Sequence, residues 1–392
     1  MTRAFLFNLV AVGVFILGIV IFLLYIQPAN TLSSTYSATN QLSAASVSQA
    51  TSTVTSVAAT TSVVTTTQIA PSQIAKKAPN KDIIPASTST SDEIARIQNP
   101  YSTAPESFSD INTDARAALV NILCEPQGES SLDPISGSGV IIDPRGIILT
   151  NAHVAQYVFL SEIPQINLQC IIRTGSPAQA EWGAAVLYIP PVWVNEHVNE
   201  ILESHPTGTG EHDYALLYIT NSVTSAQLPP QFPYLPIDTR PGIGFPGDQV
   251  LVASYPAEFV GGIAAEYDLY ADSSITTIKQ LLTFGTSSPD AISLGGIIEA
   301  QSGSSGGAVV NAWGRLVGIV TTTSSGTTTA DRDLRAIALS YINADLRTQS
   351  GSSISDLLAG DPVSEVAQFN ETTAPGLAQL YLSQLASSDA GQ

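Results

Sequence analysis

At 392 residues and 44% apolar content, the chain can bury a full core in one large domain or two medium ones, and its 33 acidic against 14 basic residues give a formal net charge of −19. That charge argues against binding nucleic acid through phosphates and against attraction to anionic lipid, and its first meaning is solubility.

Residues 4–26 carry no charge. At about 1.5 Å rise per residue this run spans roughly 35 Å, enough for a hydrocarbon core of about 30 Å. It is longer than the apolar region of a removed signal peptide, so it is read as an uncleaved transmembrane helix, a signal anchor. Arg3 and the amino terminus are the only positive charges near it, and no charge of either sign follows until Lys76. The positive-inside rule then leaves residues 1–3 in the cytoplasm and everything after Ile26 outside.

Residues 31–70 are half Ser or Thr and uncharged, so they bury too little to offset the entropy of ordering. The whole of 27–108 is expected to be a flexible linker, and its first 66 residues, 27–92, have a root-mean-square reach of about 45 Å as a coil. The membrane contact would run through residues 4–26.

From Asp110 the composition changes. Ile111 to Leu123 reads as a short helix leading into a strand. β-branched runs then follow at 137–142, 146–151, 166–173, 183–189, 213–220, 249–254, 275–284, 295–300, 307–311 and 315–323, parted by Gly, Pro, Asn and Asp. Many short strands with turn signals point to an all-β sandwich or barrel. Residues 337–346 and 376–385 read as helices, the second within a tail of 351–392. Cys124 and Cys170 sit in strand-like runs outside the membrane on this topology, where a disulfide is permitted; whether they pair, sequence leaves open.

Three residues carry the chemistry. His153 follows the apolar run Gly146-Ile147-Ile148-Leu149 in Thr150-Asn151-Ala152-His153-Val154, Asp213 opens Asp213-Tyr214-Ala215-Leu216-Leu217, and Ser305 lies in Gly303-Ser304-Ser305-Gly306-Gly307. A serine hydroxyl needs a base within hydrogen-bond reach and a third group to orient that base. A serine among glycines on a tight turn can also stand beside amides that bind an oxyanion.

The segments "GSGVIIDPRGIILTNAHV", "HDYALLYI", "GDQVLVASYP" and "QSGSSGGAVVNAWGRLVGIVT" resemble the chymotrypsin-fold, trypsin-like serine peptidases, with the HtrA-like branch the nearest in pattern, across about residues 115–345. The resemblance implies two antiparallel β-barrels with a closing C-terminal helix, a protease domain at 109–350, and His153, Asp213 and Ser305 as base, orienter and nucleophile. It implies the amides of Gly303 and Ser305 as oxyanion hole, and Thr321 and Thr322 at the substrate edge with Thr323. Glu299, six residues before Ser305, falls where trypsin-like members resemble one another in an acid that selects Lys or Arg, a use the HtrA-like members do not make of it. Ser304 stands where members activated by cleavage carry Asp. The tail is too short for the PDZ domain that often follows HtrA-like catalytic domains.

His212 adjoins Asp213 and is read as structural, since neighbours on a strand face opposite sides. His197, Glu200, Glu203, His205 and Glu211 crowd one segment, but the spacing is neither HExxH nor HxxEH, so it is read as solvated and no metal is expected. Function is then a membrane-anchored serine endopeptidase with protein or peptide substrates, no cofactor and no nucleic acid. Self-association into a homo-oligomer stays open, and the rival reading is a catalytically inactive trypsin-fold binding module on a stalk.

Overall fold

The computed structural model describes residues 84–85, 94–128, 132–203, 208–258, 267–285 and 288–389. The expected span at 4–26 and, apart from Ile84–Pro85, the expected linker up to residue 93 lie outside them. Lys76–Gln392 forms one compact unit. Among the described residues no helix is long and apolar enough to cross a membrane.

Residues 94–107, placed in the flexible linker by sequence, are held against the second sheet. Arg96 pairs with Asp248 at 2.6 Å, the Ile97 amide donates to Gly242 O at 3.1 Å, and the Trp313 indole donates to Thr103 O at 3.0 Å. Aromatic and guanidinium anchors spaced along this stretch outweigh its loop-like composition. Helix α1 (Phe108–Ala118) then begins on the Ser107 cap, whose side chain accepts from the Asp110 amide, and buries Ile111, Ala115 and Ala118 along one stripe.

The first sheet is a closed antiparallel barrel, β2-β3-β4-β7-β6-β5. Its strands are β2 (Leu119–Pro126), β3 (Ile135–Asp143), β4 (Ile147–Thr150), β5 (Leu168–Thr174), β6 (Gln179–Tyr188) and β7 (Ala215–Ser222). Cys124 stands directly opposite Cys170 in the β2–β5 ladder, and the two are disulfide-bonded.

The second sheet is barrel-like, with strand order β1-β10-β11-β14-β13-β12-β8-β9. Its members are β1 (Ile84–Pro85), β8 (Gln249–Ser254), β9 (Asp272–Thr277), β10 (Gln280–Thr283), β11 (Ala291–Gly295), β12 (Ala308–Asn311), β13 (Leu316–Thr323) and β14 (Leu334–Ala338). This is the chymotrypsin-like arrangement that the resemblance implied, with one difference: the second sheet is not closed by hydrogen bonds among the described residues. The run read as one strand at 275–284 is two, β9 and β10. Between them Ile278 and Lys279 donate their amides to Asp248 O and Ser293 O rather than continuing a ladder. The strand expected at 295–300 lies earlier, at Ala291–Gly295, because Gly295 turns out of it at φ 76°.

Where one closing helix and a second in the tail were expected, the described residues form four: α4 (Leu339–Ser350), α5 (Ile354–Ala359), α6 (Pro362–Thr372) and α7 (Ala374–Asp389), after α2 (Ala152–Ser161) and α3 (Pro191–His197) earlier in the chain. Capping explains the two that sequence reading missed. Ser353 and Asp356 form a capping box at α5, and Asp361 caps α6 with Pro362 at its first position. The apolar residues of α6 and α7 join the core of the first barrel, with Phe369, Leu377 and Tyr381 buried in it. Arg145, paired with Asp143 at 2.7 Å, donates to the carbonyls of Leu358 and Gly360 at the end of α5.

Candidate active site

β4 ends at Thr150, and His153 falls in the first turn of α2 rather than on the strand. The side chain of Asn151, the residue capping that helix, accepts from none of the helix amides; its Nδ2 donates instead to Asp213 O at 2.8 Å. The Asp213 carboxylate receives the His153 backbone N–H on Oδ1 at 2.9 Å and faces His153 Nδ1 from Oδ2 at 2.8 Å. Asp213 therefore fixes both the backbone and the ring of His153, and the Nδ1 proton is held on its side, leaving Nε2 as the basic atom.

A third donor reaches the same carboxylate: Thr321 Oγ1, at 2.8 Å in a buried contact. In the β13–β14 ladder Val320 pairs with Ala336 and Thr322 with Arg335, so Thr321 is the extra residue of a bulge. A bulge breaks the alternation of side chains and re-aims one of them. That is how a strand of the second sheet sends a hydroxyl to a carboxylate next to the first barrel. Thr322, on the same strand, is half-buried.

Burial disfavours the charged ring of His153, but the charge and hydrogen bond of Asp213 outweigh it and hold the imidazole above its usual 6.5. Burial likewise disfavours the Asp213 carboxylate. The His153 charge, its hydrogen bonds and that of Thr321 outweigh this and keep the acid below its usual 3.8.

Ser305 lies on the loop between β11 and β12. The loop approaches β3 so closely that a Cβ on Gly306, at φ 84°, would stand 2.0 Å from Ser138 O. Ser138 is the clamp: its amide donates to Ser305 O at 2.7 Å, its hydroxyl donates to Gly303 O at 2.8 Å and accepts from the Tyr255 amide at 2.8 Å. The Ser302 carbonyl accepts from the Ala257 amide at 2.8 Å. Since C=O and N–H of one peptide plane point oppositely, this turns the Gly303 N–H away from Ala257. Among the described residues the amides of Gly303 and Ser305 have no acceptor. Ser305 Oγ donates to Thr321 O at 3.4 Å, and no bond from it to His153 is formed. Ser304 is buried, its hydroxyl accepting from Ser254 at 2.9 Å.

Glu299 is 0% exposed, and among the described residues neither carboxylate oxygen has a partner at hydrogen-bond geometry. Burial pushes its acid up to about 7, drawn back in part by the nearby Ser274 hydroxyl and its own amide and raised further by Asp272. The polar groups that act on it, Ser274 and Asp272, are thus on β9. His212 adopts φ 60°, a left-handed conformation that costs a non-glycine residue about 1–3 kcal/mol. Its ring is held by Asp345 of α4 at 2.9 Å rather than by Asp213. His197 stacks on Trp193 with ring centroids 4.8 Å apart.

Sequence reading missed Asn151, Ser138 and the Thr321 hydroxyl bond. Only "GSG" around Ser138 carried a signal, since small residues flanking a strand serine permit close backbone approach.

Residues 137–319 match the family model described as trypsin-like peptidase domain. Among solved structures, the serine endoprotease from Yersinia pestis is similar at 23% identity over 64% of this chain and 69% of its own, with a TM-score of 0.39. No curated protein sequence matches the chain.

Proposed function

From the match of residues 137–319 to a trypsin-like peptidase domain we propose a membrane-anchored serine endopeptidase that hydrolyses extracytoplasmic proteins through an acyl-enzyme. The observation that carries the reading is the Asp213 carboxylate gripping both the amide and Nδ1 of His153. Such a grip leaves Nε2 free to take a proton.

Ser305 Oγ, rotated from the Thr321 carbonyl to His153 Nε2, attacks the peptide carbonyl. The Oγ–C bond forms while the hydroxyl proton passes to Nε2, and the amides of Gly303 and Ser305 hold the developing oxyanion. The C–N bond then breaks as Nε2 returns the proton to the leaving amine, and water repeats the sequence to release the acid. Side chains and backbone supply every step. Catalytic hydrogen bonds in an enzyme without substrate are often long and tighten on binding, which accommodates the resting position of Ser305.

Thr322 and the Thr321 backbone are assigned to the substrate edge; the Thr321 hydroxyl is committed to Asp213. The anchor at residues 4–26 would place the domain outside the cytoplasm. The Cys124–Cys170 disulfide supports that compartment.

One observation favours the rival reading, a binding module that holds peptides without cutting: Ser305 Oγ rests on Thr321 O and not on His153. Hydrolysis of an unfolded protein substrate separates the two. The peptidase reading expects turnover by wild type and a loss of roughly 10⁴-fold or more in Ser305→Ala and in His153→Ala. Binding of the substrate without turnover by folded wild type would establish the rival.

A further inference from the structure

The backbone of His153 is held from two sides. Its amide is fixed by Asp213, and its carbonyl accepts from Gln156 Nε2 at 3.1 Å. Gln156 Oε1 in turn accepts from the Tyr381 hydroxyl at 3.0 Å. The polarity of this path is forced: a carbonyl can only accept, so the amide nitrogen must face His153 and the amide oxygen Tyr381, whose hydroxyl must donate. Tyr381 lies on α7, in the C-terminal tail.

Both residues are buried, Gln156 at 6% exposure and Tyr381 at 0%, and Tyr381 belongs to the apolar core of the first barrel. The Tyr381 ring packs on Phe159 at 6.0 Å, and Phe159 on Phe369 of α6 at 6.1 Å. Apolar residues of the same shape would fill that space without the cost of desolvating an amide and a hydroxyl. A stability role accounts for the rings; it does not account for two polar groups joined end to end and ending on the carbonyl of one residue. Since a displacement of about 1 Å at a catalytic group can cost a hundredfold in rate, the height of α2 over Asp213 matters.

We propose that Tyr381 and Gln156 are positioning residues for His153, through which the C-terminal helix sets the placement of the base against Asp213. The inference rests on the peptidase reading above. Without this bracing, α2 shifts and the imidazole loses part of its contact with Asp213.

The test uses the whole protein, with wild type, Tyr381→Phe, Gln156→Met and Leu382→Ala compared by NMR titration of the His153 ring and by peptide hydrolysis normalised to folded protein. Tyr381→Phe keeps the packed ring and removes the hydroxyl; Gln156→Met cuts the path at its other end. Both should lower the His153 midpoint, because Asp213 is what holds it up, and reduce kcat roughly tenfold with KM unchanged. Leu382, partly buried against the same core, has an apolar side chain that supplies no hydrogen bond to the path, and its truncation should lower Tm while leaving the His153 midpoint in place. Wild-type midpoint and kcat in Tyr381→Phe and Gln156→Met would overturn the proposal, as would an equal shift in Leu382→Ala, which would assign the effect to packing. If wild type hydrolysed no peptide, the peptidase reading would fall, and the ring titrations would still decide the positioning role.

Discussion

Among the described residues Thr321 Oγ1 is the one side chain of the second sheet that hydrogen-bonds to the His153–Asp213 pair. A hydrogen bond to a charged group is worth roughly 1.5–3 kcal/mol, so Thr321→Val, which keeps the shape and removes the donor, should lower kcat about ten- to a hundredfold; pre-steady-state acylation rates read this directly. The pH profile follows from His153. Its imidazole is held above 6.5, so the neutral base, and with it kcat/KM, should appear on an acid limb centred above that value. Stability runs the other way for this group: with the folded pKa raised, the ion pair contributes fully below about pH 6.5 and is lost as pH rises through the folded value. The depressed Asp213 acid contributes above about 3.8 and is lost as pH falls through its folded value. His153→Gln should therefore flatten the acid-side difference in a Tm-versus-pH series. At this scale Ser305, His153 and Asp213 were legible as candidates because each sits in a motif. The Asn151 and Thr321 bonds were not, since a cap residue turned to other use and a bulge inside a threonine run leave no local pattern.

The disulfide joins β2 to β5 across a sequence separation of 46. The chain-entropy argument assigns such a loop about 4 kcal/mol. Its removal in Cys124→Ala/Cys170→Ala should lower Tm by roughly 10 °C in a unit of this size, measured by calorimetry at fixed pH. The bond itself was undecidable from sequence, because pairing depends on a register that puts Cys124 opposite Cys170 and on nothing local to either. Strand types were mostly legible from β-branched runs, whereas boundaries failed where a glycine or a two-residue break intervened, as at Gly295 and at Ile278–Lys279. The C-terminal helices were half legible: α7 has an apolar stripe, while α5 and α6 are announced mainly by Ser353 and Asp361, capping residues that also serve in loops. The packing of Phe369 of α6 and Tyr381 of α7 on Phe159 of α2 is visible only in three dimensions.

The site draws on both sheets: β4, α2 and β7 bring His153 and Asp213, while β11 and β12 flank the loop of Ser305 and β13 supplies Thr321. The β-branched runs and turn signals made the all-β class legible, but they do not speak to topology. The proposed anchor predicts that a C-terminal tag on intact cells is digested by protease added outside; protection of the tag would reverse the orientation. The central claim is that Ser305 is a nucleophile activated by His153. Its most direct test is reaction of the purified protein with a fluorophosphonate, followed by mass spectrometry of the modified peptide. The account predicts one covalent adduct on Ser305, absent in His153→Ala although that variant stays folded. An unmodified Ser305 in folded wild type, or an adduct on another residue, would contradict it.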